Sequence, residues 1–300
     1  MSLHSSALKS VPLWTAIITP MLTDGKIDFA SFERLLKKQS RAGNGVILLG
    51  STGESLALSR AEKETVLNFA LGLKLAIPMI AGVPGHQLEE AIDWMAFARS
   101  AGIQGFLAVT PYYAKPGCEG QVRWFEKILD AASLPVMLYN VPSRSGTRLD
   151  PAVLKRLAQH ENLWALKESS GSLESLNDYQ KANPKLAYYC GDDGLIAEFS
   201  KAGVKGLISV ASNVWPEATR KIVELCLVGK TEDLAFWPEA ADTLFLASNP
   251  IPAKWLHHRL GEISSPITRA PLDVSDLKDT EALVAADHRM QAWLKERNSL

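Results

Sequence analysis

Cysteine is scarce in this 300-residue chain, and what there is does not pair up. Cys118, Cys190 and Cys226 are odd in number and widely spaced, which argues against a disulfide framework and for reduced thiols in a cytoplasmic setting. Neither HExxH nor paired CxxC occurs, His257 and His258 are adjacent rather than at ligand spacing, and Asp192-Asp193 alone is too little for a cation; no metal is expected. No GxGxxG follows a strand, which speaks against a bound dinucleotide. An excess of either charge is also missing: 32 Lys and Arg against 33 Asp and Glu leave a net charge of −1, so neither a nucleic acid nor an acidic membrane is an expected partner. Long apolar runs are absent too. The longest, Ala70 to Gly85, is interrupted by Lys74 and Pro78 and is no membrane span. Met1-Ser-Leu-His-Ser-Ser6 lacks a basic region followed by an apolar core, so no secretory signal is expected.

What is present is core material in a regular rhythm. Hydrophobic residues make up 47% of the chain and charged residues 22%, enough for a sizeable core. Thr15–Pro20, Val46–Leu49, Met79–Ala81, Gly105–Val109, Val136–Tyr139, Leu163–Lys167, Leu186–Cys190 and Gly206–Val210 read as eight short strands. Helical patterns separate them; one starts near Asp28 and ends at Gly43, and Ser59-Arg-Ala-Glu62 is a capping box for another. Alternation of this kind predicts an α/β fold, a (β/α)8 TIM barrel over residues 1–230. A doubly wound open sheet is the structural alternative, because periodicity does not show closure. Beyond Gly229 the strands stop. Thr231–Ala247, Ala253–Leu260 and about Asp279–Arg297 read as helices, giving a C-terminal helical domain over residues 231–300.

The stretch Leu163-Trp-Ala-Leu-Lys167-Glu-Ser-Ser-Gly171 runs apolar residues straight into a lysine. A short apolar run bounded by turn residues suits a strand buried on both faces. Alternation then places Lys167 with Leu163 and Ala165, facing an apolar interior. Burial disfavours the ammonium form and leaves an amine able to attack a ketone. The competing reading is a packed stem whose head reaches outward or pairs with Glu168. What separates the two is the placement of the other unusual polar residues. Gly50-Ser51-Thr52-Gly53, Tyr112-Tyr113, Tyr139, Arg144, Lys167 and Gly191 all fall at or just after the C-terminal ends of strands. In a barrel those ends converge on the one face where active sites form. There Ser51 and Thr52 offer hydroxyls beside backbone N–H groups for an anion, Tyr139 a proton relay, and Arg144 a fork for a carboxylate. Taken singly, each also reads as an ordinary turn, a packed tyrosine or a solvated arginine.

Five segments occur in a telling order: Gly50-Ser-Thr-Gly-Glu-Ser55, Val109-Thr-Pro-Tyr-Tyr113, Tyr139-Asn-Val-Pro-Ser-Arg-Ser-Gly146, Lys167-Glu-Ser-Ser-Gly171 and Gly191-Asp-Asp193. Together, and with Asn249-Pro-Ile-Pro-Ala-Lys254 in the tail, they resemble the pyruvate-dependent class I aldolase superfamily, which includes N-acetylneuraminate lyase, and within it the dihydrodipicolinate synthases. The resemblance implies a lyase that condenses pyruvate with L-aspartate 4-semialdehyde on the diaminopimelate route to lysine. It implies no cofactor beyond a covalent Schiff base on Lys167, and a homotetramer of tight dimers. By the same likeness Tyr139, Ser51 and Tyr113 are the proton-relay hydroxyls, Tyr113 serving the neighbouring subunit. Thr52 would hold the pyruvate carboxylate and Arg144 that of the semialdehyde, while Gly191 and Ile208 line the pyruvate pocket. Positions matching a feedback site for lysine are Leu56, Arg60, Lys63, Pro84, His86, Glu90 and Tyr112. Arg60 and Lys63 replace histidines there, so lysine feedback is expected to be weak or absent. Ser51 replaces the usual threonine, a Ser-Thr pair also being typical of the neuraminate lyases, and Ala114 replaces a frequent asparagine. The alternative activities are cleavage of N-acetylneuraminate or of a 2-keto-3-deoxy sugar acid.

Overall fold

The computed structural model describes Leu8 and residues 10–299; Met1–Ser6, considered above for a signal, lie outside them. Eight parallel strands pair in chain order and the last pairs with the first, which closes the barrel and excludes the open sheet. They are β1 (Leu13–Ala16), β2 (Gly45–Leu48), β3 (Met79–Val83), β4 (Phe106–Val109), β5 (Val136–Asn140), β6 (Leu163–Glu168), β7 (Ala187–Cys190) and β8 (Leu207–Ser209). The crossovers carry α1 (Phe29–Ala42), α2 (Arg60–Gly72), α3 (Leu88–Ala101), α4 (Cys118–Ala132), the short pair α5 (Pro142–Ser145) and α6 (Pro151–Arg156), α7 (Leu173–Ala182) and α8 (Ile196–Lys201). After β8 come α9 (Pro216–Leu227), α10 (Trp237–Asp242), α11 (Ile251–Arg259) and α12 (Thr280–Asn298). No described helix is long and apolar enough to cross a membrane.

The helix ends follow local chemistry. The Asp28 carboxylate accepts the Ser31 N–H at the start of α1, and Gly43 ends that helix in the left-handed region at φ 71°. Ser59 and Glu62 form the capping box at the start of α2. The helix expected over 231–247 is shorter than the pattern suggested. It begins at Trp237 because Pro238, lacking an N–H, fits only the first turn. Residues 243–245 then continue as a 3-10 turn.

One register expectation is corrected. The β5–β6 ladder slips between Val136 and Met137, which face Leu163 and Ala165 and leave Trp164 as a bulge. Trp164 therefore joins Ala165 in the barrel interior, and Leu163 packs outward with Leu166. Lys167 still points inward, because the bulge lies upstream of it.

The barrel interior is filled from below. Trp14 meets Trp164 edge-on at 5.7 Å between ring centroids, and Trp164 meets Tyr189 at 6.1 Å. Gly45 makes room for this floor: a Cβ there would lie 2.6 Å from the Trp14 ring. The Tyr189 hydroxyl donates to the Val11 carbonyl beneath the barrel, and Leu8 packs into the same cluster.

Candidate active site

Lys167 stands near the C-terminal end of β6, above the aromatic floor, with only 6% of its surface exposed. Tyr139 lies opposite it in register on β5, and the lysine Nζ sits 4.1 Å from the centre of the Tyr139 ring. On the other side, the chain leaves β7 through Gly191, whose N–H donates to the Glu168 carbonyl. A Cβ at 191 would fall 2.8 Å from Lys167 Cε and 1.8 Å from Ser169 Oγ. Only glycine leaves the lysine stem its place.

Beside Tyr139 is an open cavity of about 320 Å³ lined by Ser51, Tyr112, Tyr139 and Arg144 among others; Lys167 and Thr52 are not in its lining. Arg144 lies in the short helix α5, is exposed at the rim, and has no ion-pair partner among the described residues. It is free to receive an anion. Thr52 is buried one residue beyond Ser51, and its hydroxyl oxygen accepts the Asn249 amide at 2.9 Å. Ile208 lies in the interior cluster, opposite Trp14 in register. Tyr113 is the outlier. It is 93% exposed, held at φ 69°, and does not line the cavity of its own chain.

The residues matched to a feedback site adjoin this cavity, and Leu56, Pro84 and Tyr112 also line it. Leu56, Arg60, Lys63, Pro84 and Glu90 line a cleft of only about 20 Å³ beside Trp94, room for a water or two. Arg60 binds Glu64 at 2.6 Å and stacks 5.3 Å over Trp94. Burial, reinforced by Arg60 and opposed by Glu90, pushes the Lys63 ammonium below its usual range. His86 and Tyr112 share a 2.8 Å hydrogen bond at the cleft edge, and burial raises the Tyr112 phenol.

Several buried polar groups near the lysine have no signal in periodicity or spacing. Glu168 follows Lys167 in the same strand but faces outward, where its carboxylate accepts the Asn140 amide at 2.7 Å and the Ser170 N–H at 2.9 Å. Burial raises its carboxyl. Burial also raises Asp192 and takes Asp193 to about 6, with the Lys167 charge pulling both back. Asp193 fixes the start of the segment after β8 by accepting the Ser209 hydroxyl and the Val210 N–H. A carboxylate closing an otherwise apolar strand, as at 168, is the one sequence cue available. Among the described residues no group of three or more His, Cys, Asp or Glu side chains is placed to hold a metal ion.

A closed barrel with its reactive side chains gathered at the C-terminal mouth defines a (β/α)8 enzyme. The sequence profile of the Dihydrodipicolinate synthetase family matches residues 9–288, and the chain belongs to that family. A 4-hydroxy-tetrahydrodipicolinate synthase of Wolbachia pipientis wMel is 45% identical over 287 residues, 95% of this chain and 98% of its own. A chloride-inhibited dihydrodipicolinate synthase from Acinetobacter baumannii, solved in complex with pyruvate, superposes with a TM-score of 0.87 at 33% identity, covering 94% of this chain and 99% of its own. The synthase of Methylacidiphilum fumariolicum SolV gives 0.88 at 31% identity, over 95% and 97%.

Proposed function

We propose that the protein condenses pyruvate with L-aspartate 4-semialdehyde to give 4-hydroxy-tetrahydrodipicolinate, in the diaminopimelate route to lysine. The observation that carries this reading is the Lys167 amine, buried at the barrel mouth 4.1 Å from the Tyr139 ring centre. The amine adds to the pyruvate keto carbon, and loss of one water gives the imine. Removal of a methyl proton converts the imine to an enamine, whose carbon attacks the aldehyde of the second substrate and leaves an alcohol. The semialdehyde's own amine then adds to the imine carbon, closes the ring and expels Lys167 as free amine. One water leaves over the cycle, the one lost in forming the first imine.

In this reading Tyr139 passes protons to and from the adduct, with Ser51 next in the relay. Tyr113, too exposed to serve its own chain, completes the relay of a neighbouring copy in a homotetramer of tight dimers. Thr52 and its loop hold the pyruvate carboxylate, Gly191 and Ile208 shape that end of the pocket, and Arg144 takes the semialdehyde carboxylate in a two-pronged grip. Holding both substrates removes much of the entropic cost of joining them. Residues 1–230 form the catalytic barrel, and residues 231–300 pack against its mouth. The cleft between α2 and α3 takes lysine poorly, because Arg60 and Lys63 bring positive charge to it.

The test is a coupled synthase assay on wild type and Lys167→Ala, with borohydride trapping in pyruvate. Wild type gains one pyruvyl adduct at Lys167 and turns over; the variant folds but does neither. Turnover of N-acetylneuraminate or of a 2-keto-3-deoxy sugar acid in preference to the semialdehyde would replace the second substrate. A wild-type protein left unmodified by borohydride would remove the Schiff-base role of Lys167.

A further inference from the structure

The loop that carries Ser51 and Thr52 is held in a conformation that its own sequence does not favour. Leu49 and Glu54 bracket it, and both lie in the left-handed region, at φ 57° and 54°. Neither is glycine or asparagine, so each conformation persists only if contacts elsewhere over-determine it. On the barrel side, the Thr19 hydroxyl donates to the Gly53 carbonyl at 2.8 Å. Beyond the loop's own backbone hydrogen bonds, further contacts come from the C-terminal segment, some 200 residues away in the chain. The Glu54 carboxylate, 2% exposed, is ion-paired with Lys254 of α11, whose side chain is fully buried. Its second oxygen accepts the Arg269 N–H at 2.8 Å, and Lys254 also donates to the Ile267 carbonyl at 2.9 Å. Asn249, just ahead of α11, donates its amide to the Thr52 hydroxyl oxygen at 2.9 Å.

A buried ion pair is a poor source of stability, because desolvating two charges offsets most of their attraction. What this pair supplies is direction. The Asn249 contact adds polarity: with its oxygen accepting from an amide, the Thr52 hydroxyl has its proton left to give, which is what an anion in front of the loop requires.

We propose that Glu54, Lys254 and Asn249 are positioning residues for the keto-acid carboxylate, gripping the Ser51-Thr52 loop from the C-terminal segment so that its hydroxyls and N–H groups face the substrate. This rests on the reading of Ser51 and Thr52 given above. A structural role alone predicts that restoring stability restores binding; a positioning role predicts that the two separate.

Three variants distinguish these. Lys254→Met strands a buried carboxylate and lowers the unfolding temperature. Glu54→Gln with Lys254→Met removes both charges and recovers that temperature to near wild type. The double variant nevertheless shows a pyruvate KM raised about tenfold and slower borohydride trapping, with the semialdehyde KM within about twofold of wild type. Asn249→Ala, which removes one neutral hydrogen bond and no buried charge, raises the pyruvate KM in the same selective way and decides the matter should the double variant not fold. Wild-type pyruvate KM and trapping rate in Asn249→Ala, or in a double variant that folds, would overturn the proposal. So would equal losses for both substrates. A wild-type enzyme that forms no pyruvate adduct would instead sink the assignment of Lys167, which the same experiment reads separately.

Discussion

At position 191 the backbone passes so close to Lys167 that a single methyl group has nowhere to go. Gly191→Ala is expected to fold with a loss of about 1–3 kcal/mol from overpacking. It should lose far more in imine formation, since the displaced groups are the Ser169 hydroxyl and the Lys167 Cε that carries the amine; trapping by borohydride falls by roughly tenfold or more. Unchanged trapping in a folded variant would show that the lysine has slack the structure does not display. Single residues were unevenly legible in the sequence. Lys167 could be picked out because four apolar residues lead into it, and Tyr139 and Arg144 because strand ends converge in a barrel. Glu54 and Lys254 could not. Each looks like a surface charge beside a turn or on a helix, and their burial depends on a contact between segments 200 residues apart, which no local pattern encodes. Tyr113 is the opposite case: its identity marks it out, yet within one chain the structure leaves it 93% exposed and outside the cavity.

Elements were more legible than residues, because each is set by its own ends. The Ser59 capping box, the Asp28 cap and the left-handed Gly43 all stand where the sequence places them. Two features escaped. The bulge at Trp164 is a slip between neighbouring strands, and the strict alternation read along β6 contains no information about its partner's register. The late start of α10 is fixed by Pro238, whose constraint acts over a single turn within a longer helical pattern. A functional expectation also belongs to elements, at the cleft where α2 meets α3. Arg60 is already spent on Glu64 and the Trp94 face, and Lys63 stands near Glu90 in a space of about 20 Å³. A cationic amino acid would meet like charges there. Lysine titrated into the synthase assay should leave the rate nearly unchanged at concentrations up to those of the substrates; strong inhibition in that range would show that Glu90 and Tyr112 outweigh the two cations.

At the scale of the whole molecule, two further carboxylates besides Glu54 fasten the C-terminal segment to the barrel. Glu62 of α2 binds Arg269, which brings its carboxyl from the ordinary 4.5 to about 2. Glu262 is raised by burial, but hydrogen bonds from His257 and from Lys38 of α1 outweigh this and hold it at about 2. Because both values are depressed by folding, their stabilisation is fully present above pH 4.5 and drains away as pH falls toward 2. Thermal unfolding followed from pH 6 to pH 2 should show a steep acid limb in wild type. Glu62→Gln with Glu262→Gln should start lower at pH 6 and fall less across that window, and a limb of undiminished steepness would mean that other groups drive acid unfolding. The barrel as a whole also dictates traffic. With Trp14, Trp164 and Tyr189 stoppering the lower end, the chamber around Lys167 is a bottle with one neck. Under the reaction proposed for Lys167, whatever the amine has finished building must back out the way the next keto acid comes in, so the two contend for the same doorway, and a lingering product obstructs the earliest step of the following round.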